Sequence, residues 1–161
     1  KLFEQGKIFL PQLIQTAGVA QAAFEVIKTT LIQRDAAPVS RGEVVLATVK
    51  GDIHDIGKNI VRVLLENYGY TVLDLGKDVP CQLVADTAKE HNVKLVGLSA
   101  LMTTTLGAME ETIQLVKAAC PDCKVVWGGA VLTADYAEKI GADFYAKDAM
   151  ETVAVAKQVV G

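Results

Sequence analysis

From Glu43 onward, short apolar runs alternate with longer amphipathic ones, and this alternation constrains the fold more than any other feature of the chain. The apolar runs at 43–49, 70–74, 94–99, 124–128 and 143–146 have the length and Val/Leu content of buried strands. The segments 57–67, 80–91, 105–119, 132–140 and 148–160 carry apolar residues at helical spacing. Strands that are apolar throughout, each followed by a helix, imply an α/β fold with a parallel sheet covered by helices on both faces. Five such strands favour the flavodoxin-like (Rossmann-like) order 2-1-3-4-5, whose topological switch point lies between strands one and three. Ligands of open α/β sheets bind outside the carboxyl ends of the strands at that point.

Composition narrows the function classes. The 161 residues hold one ordinary domain with room for a small appendage, and 51% apolar content is enough for a real core. A net charge of −3 gives no reason to expect nucleic acid or an anionic membrane as partner. No apolar run approaches the ~20 residues of a membrane span, and no stretch of the given sequence is expected to be a signal peptide. The chain starts at Lys1-Leu2-Phe3 without an initiator Met, so it is expected to be a fragment of a longer protein. Cys81, Cys120 and Cys123 fit a reducing, cytoplasmic setting better than a disulfide scaffold. Cys120-Pro121-Asp122-Cys123 follows a helix and precedes a strand, the wrong end for a thioredoxin-like thiol, and two Cys leave a zinc site short of ligands. It reads as a turn with incidental thiols.

Two regions precede and form the sheet. Residues 1–34 read as helical: after Pro11, the residues Leu13, Ile14, Ala17, Ala20, Ala23, Phe24, Ile27 and Leu31 form an amphipathic stripe. Residues 35–42, with Pro38 and Gly42, read as a linker, and 43–161 as the sheet domain.

The loop Gly51-Asp52-Ile53-His54-Asp55-Ile56-Gly57-Lys58-Asn59 joins the first strand to its helix and carries the chemistry. It places a His at a strand end with a carboxylate two residues before it and a Gly three residues after. A metal-bound imidazole usually gives its second ring nitrogen to a carboxylate, which Asp52 can supply. Gly57 lets the backbone approach a bulky ligand. The other reading of Asp52 is a helix cap, a role that Asp55 fits better by position. His91 has no such context and reads as solvated surface. Ser99 ends strand three, so the two strongest motifs flank the switch point.

The loop resembles the Asp-x-His-x-x-Gly signature of cobalamin-binding proteins. Ser99-Ala100-Leu101 matches the Ser-x-Leu element after their third strand, and Gly128-Gly129 matches the double Gly after their fourth. The resemblance implies that His54 replaces the cofactor's own base as lower ligand of cobalt, and that the freed nucleotide tail enters a slot beside the sheet. It assigns Asp52 and Thr105 to a proton relay behind His54, with an ordinary helix cap as the other reading of Thr105. It places Gly51, Ile53, Asp55 and Leu101 on the cofactor surface, and Ser99 and Thr103 against the nucleotide. Gly128 and Gly129 would leave room for the tail, and Ala149 in Tyr145-Ala146-Lys147-Asp148-Ala149 would line its far side.

Gly6-Lys7-Ile8-Phe9-Leu10-Pro11-Gln12 resembles the end of the helical cap of methyl-carrying corrinoid proteins, which puts Phe9 over the upper face of bound methylcobalamin. The Phe-Leu-Pro-Gln run is most similar to cobalamin-dependent methionine synthase. That resemblance implies a carrier taking methyl from methyltetrahydrofolate to homocysteine, with folate-binding and zinc/homocysteine-binding domains and a reactivation partner elsewhere. The alternative is a corrinoid protein serving the separate methyltransferase subunits of methanol or methylamine metabolism. A cobalamin-dependent sensor is the alternative of another class, and it would need a DNA-binding element that the chain does not show.

Overall fold

The apolar runs become five parallel strands: β1 (Glu43–Thr48), β2 (Thr71–Asp74), β3 (Leu95–Ser99), β4 (Lys124–Gly128) and β5 (Phe144–Tyr145). Their order is β2-β1-β3-β4-β5, the order expected from the sequence. The structure is a computed structural model that describes residues 40–129 and 140–161. The chain divides into two units, Lys1–Val39 and Ser40–Gly161. The expected helical region 1–34, with Phe9 in it, and nearly all of the expected helix 132–140 lie outside the described residues.

Four helices are described: α1 (Ile56–Asn67), α2 (Cys81–Glu90), α3 (Leu106–Ala119) and α4 (Ala149–Val159). A 3₁₀ turn, Thr103–Thr105, leads into α3. The boundaries differ from the sequence reading by a residue or two, except that β5 shrinks from four residues to two. Strand alternation sends Val45, Ala47, Val49, Val96, Leu98, Val125 and Trp127 to one face, where they share a core with Val84 and Ala88 of α2 and Met109, Ile113 and Val116 of α3. Val44, Leu46, Leu95 and Val126 go to the other face, with Leu65 of α1 and Val153 and Ala156 of α4.

Polar ties fix the elements' ends. Asp148 caps α4 by accepting the N–H of Glu151 at 2.9 Å, and the Glu151 carboxylate accepts the N–H of Lys147 at 2.8 Å. The C-terminal ends of α1 and α4 meet through Lys157, whose ammonium stands 4.3 Å from the Tyr68 ring centre. Tyr70 donates its hydroxyl to the carbonyl of Gly161 at 3.1 Å. Nothing comparable joins their N-terminal ends among the described residues, and a cleft opens there. The Cys120–Cys123 turn behaves as the sequence suggested. Both thiols are free and buried, and burial pushes the Cys123 thiol up to about 12, so it stays protonated.

Candidate functional site

The His54 loop leaves β1 through a tight turn. Gly51 sits at φ +84°, in the left-handed region, and its N–H is bonded to the Asp78 carboxylate at 2.7 Å. Asp52 then enters the interior with its side chain fully buried. Its Oδ1 accepts the backbone N–H of His54 at 2.9 Å and lies 2.8 Å from ring Nδ1 of the same residue. Its Oδ2 accepts the N–H groups of Leu101 at 2.7 Å and Met102 at 3.2 Å. Burial by itself would raise the Asp52 pKa, but the bonds from His54, Leu101 and Met102 outweigh it and hold the carboxyl at about 2. Asp52 is therefore ionised at neutral pH and can only accept. The proton of the neutral His54 ring belongs on Nδ1, which leaves Nε2 with a free lone pair. The His54 side chain is 47% exposed, so that lone pair can be reached.

Thr105 is buried beside this pair. Its hydroxyl has one proton and two acceptors, the Met102 carbonyl at 2.8 Å and Asp52 Oδ2 at 3.4 Å. The nearer acceptor takes most of that proton, so Thr105 supports the carboxylate from behind and is a weak relay in this geometry. Its other reading, a helix cap, is not realised: Thr105 occupies the cap position of α3 without a side-chain capping bond. The same holds for Asp55 at the start of α1.

A cleft of about 660 Å³ lies between the N-terminal ends of α1 and α4, over the carboxyl half of the sheet. Ile53, His54, Asp55, Gly57, Ser99, Leu101, Gly128, Gly129 and Ala149 all line it. Other expected residues are placed differently. Gly51 does not line the cleft; it shapes the turn behind it. Thr103 is exposed in the 3₁₀ turn and does not line the cleft. The double Gly answers to the protein as much as to a ligand: a Cβ on Gly129 would stand 1.9 Å from the Ala100 carbonyl oxygen, and one on Gly128 3.2 Å from that of Ala146. His91 is at the surface and is paired with Glu43 at 3.1 Å.

The structure also shows residues that the motifs did not indicate. Leu46, Gly97 and Val126 are paired neighbours across β1, β3 and β4, and all three line the cleft as its floor. Leu46 leans over Gly97, because a Cβ there would meet its Cδ2 at 2.5 Å. An isolated Gly inside a strand was the available signal. Lys58, in the first turn of α1, is buried and bonds Asp74 at 2.5 Å, and Arg62 reaches the other oxygen of that carboxylate at 3.3 Å. Despite desolvation, the Asp74 pKa is held below its usual value by Lys58, Gly76 and Arg62. Lys58 thus ties α1 to the end of β2, beside the cleft.

The residues fit a large, mostly apolar group that carries a metal. Gly57 is helical, yet a Cβ there would meet nothing within 4 Å. A helical Gly costs roughly 1 kcal/mol relative to Ala, and nothing in the protein requires one at this position. Its bare surface faces the cleft. His54 supplies one borderline-soft nitrogen donor, and no cluster of three or more metal-ligating side chains exists among the described residues. A single protein donor suits a metal that brings its other ligands with it, as in a macrocycle.

Comparison with known proteins agrees. Residues 42–154 match the family described as B12 binding domain. The chain is 45% identical over 161 residues to dimethylamine corrinoid protein 1 of Methanosarcina acetivorans, covering 99% of this chain and 75% of that protein. Among solved structures it resembles a cobalamin-binding protein from Desulfitobacterium hafniense, with TM-score 0.79, 38% identity, and coverage of 99% of this chain and 75% of that one. It also resembles the methanol:cobalamin methyltransferase complex MtaBC from Methanosarcina barkeri, with TM-score 0.83, 32% identity, and coverage of 98% and 60%. These relatives favour the amine and methanol alternative over the methionine synthase reading of Phe-Leu-Pro-Gln.

Proposed function

Because this chain belongs to the corrinoid proteins built on the B12-binding domain, we propose that it is the methyl carrier of a methylamine-type methyltransferase system, with His54 as lower ligand of the cobalt. Cobalamin is its cofactor. The observation that carries the reading is the Asp52–His54 pair: a buried carboxylate fixed by Leu101 and Met102 holds the ring through Nδ1 and leaves Nε2 available at the mouth of a cleft. Bound cobalamin would supply the methyl-transfer chemistry. The chain's own part is positional and electrostatic. Ile53, Leu101 and Gly57 would meet the macrocycle, while Leu46, Gly97, Ser99, Gly128 and Ala149 would receive the nucleotide tail. Asp52 holds the ring through Nδ1 and so fixes the direction in which Nε2 would meet the metal. A separate methyltransferase subunit supplies the methyl donor's site, consistent with the two-protein complex among the relatives.

The test uses the full-length protein, labelled with nitrogen-15 at His and reconstituted with cobalamin. Electron paramagnetic resonance of the cobalt(II) state should show hyperfine coupling to one protein nitrogen that disappears in His54→Ala. With the purified partner methyltransferase, methyl transfer should proceed from a methylamine and not from methyltetrahydrofolate. Coupling to the cofactor's own base would remove His54 as ligand, and transfer from the folate would restore the methionine synthase reading.

A further inference from the structure

The His54 turn is held from two sides, and only one of them belongs to the motif. On the β3 side, the Asp52 carboxylate grips the amides of Leu101 and Met102. On the β2 side stands Asp78, in the loop between β2 and α2. Its backbone N–H donates to the carbonyl of Asp52 at 3.0 Å. Its side-chain Oδ1 accepts the N–H of Gly51 at 2.7 Å. Its neighbour Val79 continues the contact, donating to the Thr48 carbonyl at 3.1 Å.

The backbone of Asp78 makes this choice of residue informative. Its φ is +53°, in the left-handed region, where Gly is the unstrained choice. The loop already uses Gly at position 76, with φ +89°. An exposed left-handed position that carries a side chain needs a reason, and the one visible here is the bond to Gly51. Asp tolerates this conformation better than most residues and can reach a nearby amide. Gly51 is itself left-handed at φ +84°, and so has much backbone freedom to lose.

We propose that Asp78 is a positioning residue for the cobalt ligand. Its carboxylate fixes the Gly51 amide and its amide fixes the Asp52 carbonyl, so that the Asp52 side chain meets His54 Nδ1 from a rigid turn. The assignment rests on His54 being the ligand, and it extends the support of that ring to a third element of the fold. The role asks only for an acceptor at Oδ1 and a left-handed backbone. Asp78→Asn keeps both, Asp78→Gly keeps the backbone alone, and Asp78→Ala loses the acceptor and adds strain.

Two readouts on the full-length protein test this. In the cofactor-free protein, the proton NMR signal of His54 Nδ1–H reports the Asp52–His54 bond. In the loaded protein, titration with cobalamin reports affinity, and the histidine hyperfine signal reports the ligated fraction. We expect Asp78→Gly to broaden the Nδ1–H signal and weaken binding by about 10-fold, the lower end for outer partners of metal ligands. Asp78→Asn should stay within about twofold of the parent, and Asp78→Ala should match or exceed the loss in Asp78→Gly. If Asp78→Ala fails to fold, the Gly and Asn pair still decides. A parent-like Nδ1–H signal and affinity in Asp78→Gly would overturn the proposal and leave Asp78 as a turn residue. An equal loss in Asp78→Asn would overturn it too, since charge rather than the acceptor would then matter. Failure of the parent to ligate cobalt through His54 would count against the functional reading, while the cofactor-free signal would still decide whether Asp78 holds the Asp52–His54 pair.

Discussion

The two faces of the sheet use the same strands to opposite ends. On the α2/α3 face the inward residues stay large or close-packed along the strands: Val96 and Leu98 on β3 with Ala100 just after it, and Val125 and Trp127 on β4, all buried. On the α1/α4 face they shrink toward the carboxyl end, from Leu95 through Gly97 to Ser99 on β3 and from Val126 to Gly128 on β4. The first face is closed to the top. The second is closed only at its base, where Leu65, Val153 and Ala156 pack, and stays open above them as the cleft. The site exists because one face stops filling itself, and the same strands buy stability with one side and a binding volume with the other.

This contrast predicts that mutations on the two faces separate stability from binding. The largest effect on folding should come from the closed face. Ile113 is buried to 1% exposure in α3, so Ile113→Ala should destabilise the chain by about 2–5 kcal/mol in urea denaturation. Cobalamin affinity of the folded fraction should be unchanged; a matching loss of affinity would mean that the two faces are coupled.

Next in size is the acid sensitivity of the loop. Asp52 has its pKa lowered from 3.8 to about 2 in the folded chain. A depressed carboxylate contributes stability above its unfolded pKa and loses it as pH falls through the folded one. The contribution is about 2 kcal/mol at neutral pH and should vanish between about pH 4 and pH 2. The stability difference between the parent and Asp52→Asn, followed by chemical denaturation across that window, should fall accordingly. Asp74 and Asp143 are lowered in the same direction and cancel in that difference. A difference that is flat with pH would break the link between the buried carboxylate and the turn.

The smallest effect has the most diagnostic sign. Gly57→Ala adds a Cβ that meets nothing within 4 Å, so the cofactor-free chain should gain up to about 1 kcal/mol in thermal or urea unfolding. Cobalamin binding should weaken at the same time, because the new methyl occupies the cleft. A variant that is stabilised and binds normally would show that the macrocycle does not approach α1 at this point.

The sheet was legible in the sequence because parallel strands buried on both faces leave continuous apolar runs, and each run here is bounded by turn residues. The ligand pair was legible for a different reason: Asp52 and His54 are two residues apart, so their bond is local. The cleft floor was less so. Leu46, Gly97 and Val126 are distant in sequence and become neighbours only through strand register. A second constraint on Gly129 was not legible, since the group its Cβ would meet at 1.9 Å is the carbonyl of Ala100, on another strand's loop.

What the sequence determined by itself was therefore whatever depends on period and short spacing: the strand order class, the His54 turn, and the family it resembles. Tertiary structure alone decided which groups complete that turn. Leu101 and Met102 arrive from β3's loop and Asp78 from β2's, and each bond spans between 27 and 50 residues of chain. It also moved Gly51 and Thr103 off the cleft and brought Lys58 and Gly97 to it. A local pattern can encode which atoms are available to bond. Which of them meet depends on how the sheet twists its strand ends together, and that is a property of the whole fold.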